Sequence, residues 1–212
     1  MAFASSRSRP DPAAAPDGPA YLPSSVRNMV KLVVAGGLGV GKTTLIRSVS
    51  ETRSLHTEEV MTAPSSRVDS LAFTPRKTHT TVTMDFGRLT LGESGETVLY
   101  LFGTPGQARF RQAWLDTAYG ARGALVLMDL RRPEVSYEAM DLVEESGMPY
   151  AVAVNDFPGS PVLDAATVRA DLDLHPETPL LFCNALERES SIDALIGLVS
   201  HSLDVYRRNT GP

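Results

Sequence analysis

The chain has 212 residues, 42% of them hydrophobic, which suits one folded domain with a tail, and 20 Lys plus Arg against 25 Asp plus Glu leave a net charge of −5. That acidic balance excludes the basic footprint that drives nucleic-acid binding. A single cysteine, Cys183, precludes an internal disulfide, the apolar runs are too short to cross a bilayer, and neither a signal peptide nor a prenylation box is read, so a cytoplasmic protein is expected.

In chain order, residues 1–28 come first. Pro10, Pro12, Pro16, Pro19 and Pro23 stand among Ala, Ser and Asp with few apolar side chains, which predicts a disordered tail of nearly balanced charge. The folded domain is expected over 29–208. MVKLVVAG (29–36) reads as a buried strand and GKTTLIRSVS (41–50) as the helix after it. TVTMDFGRLTL (81–91) and ETVLYLFG (96–103) read as a hairpin with its turn at Gly92 to Gly95. ARGALVLMDL (121–130) is a strand, and PEVSYEAMDLVEESG (133–147) is a helix that begins with proline and stops at glycine. PYAVAVND (149–156) and PLLFCN (179–184) are further strands, with a helix over Leu163–Leu174 between them. The last helix, Ser190–Arg208, sets Ile192, Leu195, Ile196, Val199 and Leu203 at helical spacing, a stripe expected to face the core. The fold class is α/β: a six-stranded, mostly parallel sheet with one antiparallel edge strand, between two helical layers.

One motif carries chemistry directly. Gly36 to Thr43, GGLGVGKT, fits G-x-x-x-x-G-K-[ST] between a predicted strand and helix. Glycines let successive backbone N–H groups curl round a phosphate, and the helix N-terminus adds a positive dipole end. Gly36, Gly39, Val40, Gly41, Lys42, Thr43 and Thr44 are therefore the expected nucleotide-binding residues. Lys42 would bridge β- and γ-phosphate oxygens, and the Thr43 hydroxyl would bind Mg2+. His56, His79, His175 and His201 are scattered without a second metal ligand at useful spacing.

With the phosphate loop in place, the chain resembles a Ras-like small GTPase with a P-loop NTPase G domain, from about Met29 to Arg208. The stretch RFRQAWLDTAYGARGALVLMDL resembles the second switch helix and the strand after it, and TTVTMDFG (80–87) resembles the first switch. More narrowly, LFGTPGQ, VAVN and MDFGRLTL resemble the bacterial conservon GTPases of actinomycetes, related to the gliding-motility MglA group.

The resemblance implies GTP/GDP and Mg2+ as cofactors. It places Thr81 on magnesium and the γ-phosphate, Gly106 with its N–H on the γ-phosphate, and Gln107 on the attacking water. Gly103 stands where the superfamily carries a magnesium-holding aspartate, so weakened magnesium binding is expected, with Thr43 and Thr81 as the remaining ligands. Leu38 stands where many relatives have a small residue; it would crowd an arginine supplied in trans, or the arginine comes from elsewhere. Arg76 and Lys77 are candidates for an arginine-like role in cis, Arg76 having the better fork. Asn155 matches the base-loop asparagine, but Asp156 stands at the lysine place and Pro158 at the aspartate place; Ala185 and Leu186 follow at the second base loop.

The implied partners are a guanine nucleotide, a roadblock-type protein and a sensor-kinase-like membrane complex that would recruit the protein to the membrane. The expected activity is slow GTP hydrolysis that switches the loops Leu55–Thr81 and Thr104–Ala118. Two alternatives stay open: a degenerate, non-hydrolysing nucleotide-binding scaffold, and an ATP-binding P-loop protein. Of Phe110, Trp114 and Tyr119, two are expected in the core.

Overall fold

The computed structural model describes residues 22, 24–52, 58–60, 79–81, 85–92, 95–106 and 111–211. Strand β1 (Asn28–Ala35) leads into helix α1 (Lys42–Val49), followed by the short strands β2 (Glu58–Val60) and β3 (His79–Thr81). Strands β4 (Phe86–Leu91) and β5 (Thr97–Gly103) come next, then helix α2 (Arg111–Ala118) and strand β6 (Ala124–Met128). A 3₁₀ turn (Pro133–Ser136) runs into α3 (Tyr137–Ser146), and β7 (Tyr150–Asn155), α4 (Ala165–Asp171), β8 (Leu180–Cys183) and α5 (Arg188–Thr210) complete the order.

Six strands form one sheet in the order β4-β5-β1-β6-β7-β8. All neighbours run parallel except β4, which pairs antiparallel with β5 and places Phe86 opposite Phe102. The central strands are buried on both faces, so they read as unbroken apolar runs. Alternation sorts their side chains between the two faces. Leu32, Val34, Leu125, Leu127, Ala151 and Ala153 pack with Ile46 of α1 and Leu195 of α5. Val33, Ala35, Val126, Met128 and Val152 pack on the other face with Trp114 of α2 and Val143 of α3. Strand order reverses at β1, with β5 on one side and β6 on the other, the switch point where ligands bind in open α/β sheets.

The expected fold class holds, and local boundaries move. The stretch 81–91 is not one strand: His79–Thr81 pairs with Glu58–Val60 in a separate two-stranded sheet, and β4 begins only at Phe86. The helix expected from Pro133 opens as a 3₁₀ turn and becomes α-helical at Tyr137. Helix α4 is shorter than Leu163–Leu174, because Asp164 caps its start by accepting from the Thr167 N–H and Asp173 turns the chain at φ 47°. Along α5 the buried face runs through Ser191, Ala194, Leu195 and Leu198, which leaves Ile196 and Leu203 exposed and Ile192 and Val199 half-buried. Trp114 is buried, Tyr119 is exposed, and Phe110 lies outside the described residues. No helix among the described residues is long and apolar enough to cross a membrane.

Candidate functional site

The loop from Gly36 to Gly41 joins β1 to α1 and wraps the first turn of that helix. Gly41 takes φ +106°, and a Cβ there would stand 2.4 Å from Nδ2 of Asn155, so only glycine fits. Lys42 is buried and donates to the carbonyls of Gly36 and Gly37 at 2.8 and 2.6 Å. Gly106 closes over this group: a Cβ there would lie 2.7 Å from the Lys42 ammonium and 2.8 Å from the Gly37 carbonyl. The Lys42 charge is thus held at the loop, at the N-terminus of α1, where the helix dipole already favours an anion.

Thr43 sits one residue further along α1 and donates its hydroxyl to Oδ2 of Asp85 at 2.6 Å. Asp85 is 2% exposed, and its Oδ1 has no hydrogen-bond partner among the described residues. A buried carboxylate oxygen is costly to leave unpaired, so Oδ1 suits a ligand or cation. Asp85 stands just before β4, where its carbonyl accepts from the Gly103 N–H at 2.8 Å. Gly103 has no side chain for a steric reason. A Cβ there would stand 3.0 Å from the Asp85 Cβ, 3.2 Å from its Oδ2 and 3.1 Å from Ile46 Cδ1. A carboxylate on the antiparallel neighbour therefore stands beside the end of β5, and a side chain at position 103 would require its neighbours to shift by a few tenths of an ångström.

Asp85 is a carboxylate beside Thr43 that the expected magnesium site of Thr43 and Thr81 did not include. Magnesium keeps several waters and phosphate oxygens and needs only one or two protein groups. Thr43 and Asp85 fit that requirement. No cluster of three or more His, Cys, Asp or Glu side chains suited to a metal exists among the described residues, in keeping with so sparse a donor set. The sequence did hold a signal for Asp85, an acidic residue between Met84 and Phe86 at the start of an apolar strand, where charge is rarely buried without a task.

On the other side of the loop, Asn155 at the end of β7 is buried and works as a staple. Its Nδ2 donates to the Val40 carbonyl at 3.0 Å, and its Oδ1 accepts from the Ala185 N–H at 2.9 Å. The Leu186 N–H donates to Oδ1 of Asn184 at 3.1 Å, and the Leu186 side chain is exposed. Asp156 is exposed, while its N–H donates to the Cys183 carbonyl. The Pro158 carbonyl accepts from Nη1 of Arg131 at 3.3 Å, and the Arg131 guanidinium lies 4.3 Å from the centre of the Phe157 ring. Cys183 is buried, and that burial pushes its thiol pKa up to about 11, so the sulfur is unreactive.

Beneath the loop lies a second buried carboxylate, Asp129, which receives Arg131 at 2.7 Å and Arg132 at 3.3 Å. Burial alone raises its pKa, but the hydrogen bonds and charge of Arg131, joined by the Arg132 hydrogen bond, outweigh it and hold the pKa below the ordinary aspartate value. Arg132 also donates to the Leu38 carbonyl at 2.8 Å, and Leu38 itself is buried. Sequence reading passed over Asp129 and Arg132, since charged residues after a strand usually face water.

Of the expected site residues, Gly36, Gly39, Val40, Gly41, Lys42, Thr43, Thr44, Gly106, Asn155, Asp156, Ala185 and Leu186 lie at the C-terminal edge of the sheet, on the loops and the helix start that follow β1, β5, β7 and β8. Gln107 and Arg76 lie outside the described residues, as do the side chains of Thr81 and His79 in β3.

Comparison with known proteins agrees with this geometry. An uncharacterized protein of Methanocaldococcus jannaschii is 29% identical over 131 residues, covering 61% of this chain and 71% of that protein. The crystal structure of the G domain of the T. maritima FeoB iron transporter superposes with a TM-score of 0.57 at 17% identity, covering 82% of this chain and 99% of that one. That likeness shows the fold, a P-loop G domain. Residues 34–205 match the family described as conserved hypothetical ATP binding proteins. The chain belongs to that family and is a nucleotide-binding P-loop protein with a G-domain fold.

Proposed function

We propose that the protein is a magnesium-dependent guanine-nucleotide switch that binds GTP, hydrolyses it slowly to GDP and signals through its switch segments. The observation that carries this reading is the Thr43–Asp85 pair, with its second carboxylate oxygen buried and without a partner among the described residues. A chain kept only as a scaffold has no need of a buried carboxylate beside the phosphate-loop threonine.

In this reading the backbone N–H groups from Gly39 to Thr44 and the Lys42 ammonium bind the β- and γ-phosphates. Thr43, Thr81 and Asp85 would hold magnesium, which supplies charge neutralisation on the phosphate oxygens when bound. The Gly106 N–H meets the γ-phosphate, Gln107 orients the attacking water, and Arg76 neutralises charge on the transferred group. Resemblance to the conservon GTPases supports a roadblock-type protein and a sensor-kinase-like membrane complex as partners for the segments 55–81 and 104–118.

A second reading takes an adenine nucleotide at the same phosphate loop. Pro158 favours it, because a proline side chain cannot accept from the guanine N1–H and N2–H₂ pair, and the family description names ATP. Calorimetric titration with non-hydrolysable GTP and ATP analogues, in magnesium and again in chelator, separates the two. Tight, magnesium-dependent binding of the guanine analogue alone is expected. Preference for the adenine analogue would transfer the proposal to ATP. Binding without turnover of the natural nucleotide would leave a scaffold.

A further inference from the structure

Besides Ser136 at its start, the phosphate loop is held from outside by two buried side chains, and only one of them, Asn155, belongs to a base loop. The other is Arg132, which is 2% exposed and donates Nη2 to the Leu38 carbonyl at 2.8 Å while Nε reaches Oδ2 of Asp129 at 3.3 Å. The carbonyl of Leu38 and the N–H of Gly39 share one peptide plane. Across a trans peptide they point in opposite directions. A guanidinium that draws the Leu38 carbonyl toward Asp129 therefore turns the Gly39 N–H away from that buried pair, toward the open side of the loop.

Asn155 acts by the same rule one step later. Its hold on the Val40 carbonyl turns the Gly41 N–H away from itself. The start of the loop is fixed as well, since the Gly37 N–H donates to Oγ of Ser136, whose hydroxyl donates in turn to the Leu127 carbonyl. Asp129 keeps the guanidinium in place and is itself buried, so the arrangement is rigid and desolvated. Arg131 pairs with the same carboxylate on its other side.

We propose that Arg132 is a positioning residue for phosphate binding: it fixes the Leu38–Gly39 peptide so that the Gly39 N–H is presented to the nucleotide polyphosphate. The inference rests on the nucleotide-binding reading above and adds a residue outside both the phosphate-loop motif and the base loops. The Leu38 side chain is packed inside while its carbonyl is held.

The test uses the full chain, its Arg132→Gln and Arg132→Lys variants, and GDP and a non-hydrolysable GTP analogue as ligands. In the wild-type protein, the Gly39 amide signal should move on nucleotide addition in proton–nitrogen correlation spectra. Arg132→Gln should lose about tenfold or more in affinity for both nucleotides, with unchanged circular dichroism. Arg132→Lys, which keeps one charged donor within reach of the carbonyl, should fall between the two. Wild-type binding with an unmoved Gly39 amide overturns the proposal, even where Arg132→Gln does not fold. Undiminished affinity in a folded Arg132→Gln also overturns it, and leaves the nucleotide reading intact. Failure of the wild-type protein to bind either nucleotide overturns both.

Discussion

The two halves of the candidate site are built to different standards. On the phosphate side, Lys42, Asn155 and Arg132 hold loop carbonyls, of Gly36 and Gly37, of Val40 and of Leu38, and Thr43 donates to Asp85. On the base side, the loop residues satisfy one another, Ala185 with Asn155 and Leu186 with Asn184, while Asp156 stands in solvent. In the proposed reading, affinity would come mainly from the polyphosphate and magnesium, and the base would be read with few dedicated groups. Such a site can keep its chemistry while its base preference drifts, because the two functions rest on separate contacts.

The largest effect should come from the phosphate side. Lys42→Ala is expected to lower nucleotide affinity by about a hundredfold or more, since it removes a charged donor pair at the phosphates. Asp156→Ala should change it by less than about threefold. Competition against a fluorescent nucleotide measures both, and a reversed ranking would break the contrast between the halves. Gln107→Leu should keep affinity and lower single-turnover hydrolysis by about tenfold or more; unchanged turnover would remove Gln107 from the mechanism.

A stability experiment tests why Gly103 is a glycine. Gly103→Asp should cost about 1–3 kcal/mol, because its Cβ crowds Asp85 and Ile46. Combining it with Asp85→Gly should restore most of that loss and return the carboxylate to β5. Additive losses in the double variant would show that the two positions do not share one space.

The smallest effect concerns pH. Asp129 has a pKa lowered in the folded state, so its contribution is present above the unfolded aspartate value of about 3.9 and is lost as pH falls through the lower folded pKa. Denaturant midpoints between pH 7 and pH 3 should therefore fall less steeply at the acid end in Asp129→Asn than in the wild type, although the variant starts from lower stability at neutral pH. Parallel profiles would remove the Asp129 pair from the acid response.

Much of this was legible in the sequence, for identifiable reasons. Continuous apolar strands mark a parallel sheet covered on both faces, and the order of strands and helices limits the topology to few choices. The phosphate loop carries its own signature, whereas Asn155 and Ala185 were named from the resemblance to the base loops of Ras-like GTPases. Asp85 was visible as a residue but not as a candidate, because its place beside Thr43 and Gly103 depends on the antiparallel pairing of β4 with β5, a long-range register that local pattern does not encode. Arg132 escaped for a similar reason: its target, Leu38, lies 94 positions away in the chain. The break between Thr81 and Phe86 was missed because 81–91 alternates well enough to pass as one strand, while the pairing of β2 with β3 draws its first residue into another sheet.

The most direct measurement is the magnesium dependence of nucleotide affinity in the wild-type protein and in Asp85→Asn. Asparagine keeps an oxygen for the Thr43 hydroxyl, removes the charge and replaces the other carboxylate oxygen with an NH2 donor. The magnesium concentration giving half-maximal binding should rise by about tenfold or more in the variant, with the protein still folded. Identical magnesium dependence in the two proteins would contradict the assignment of Asp85 as the carboxylate that replaces the one missing at Gly103.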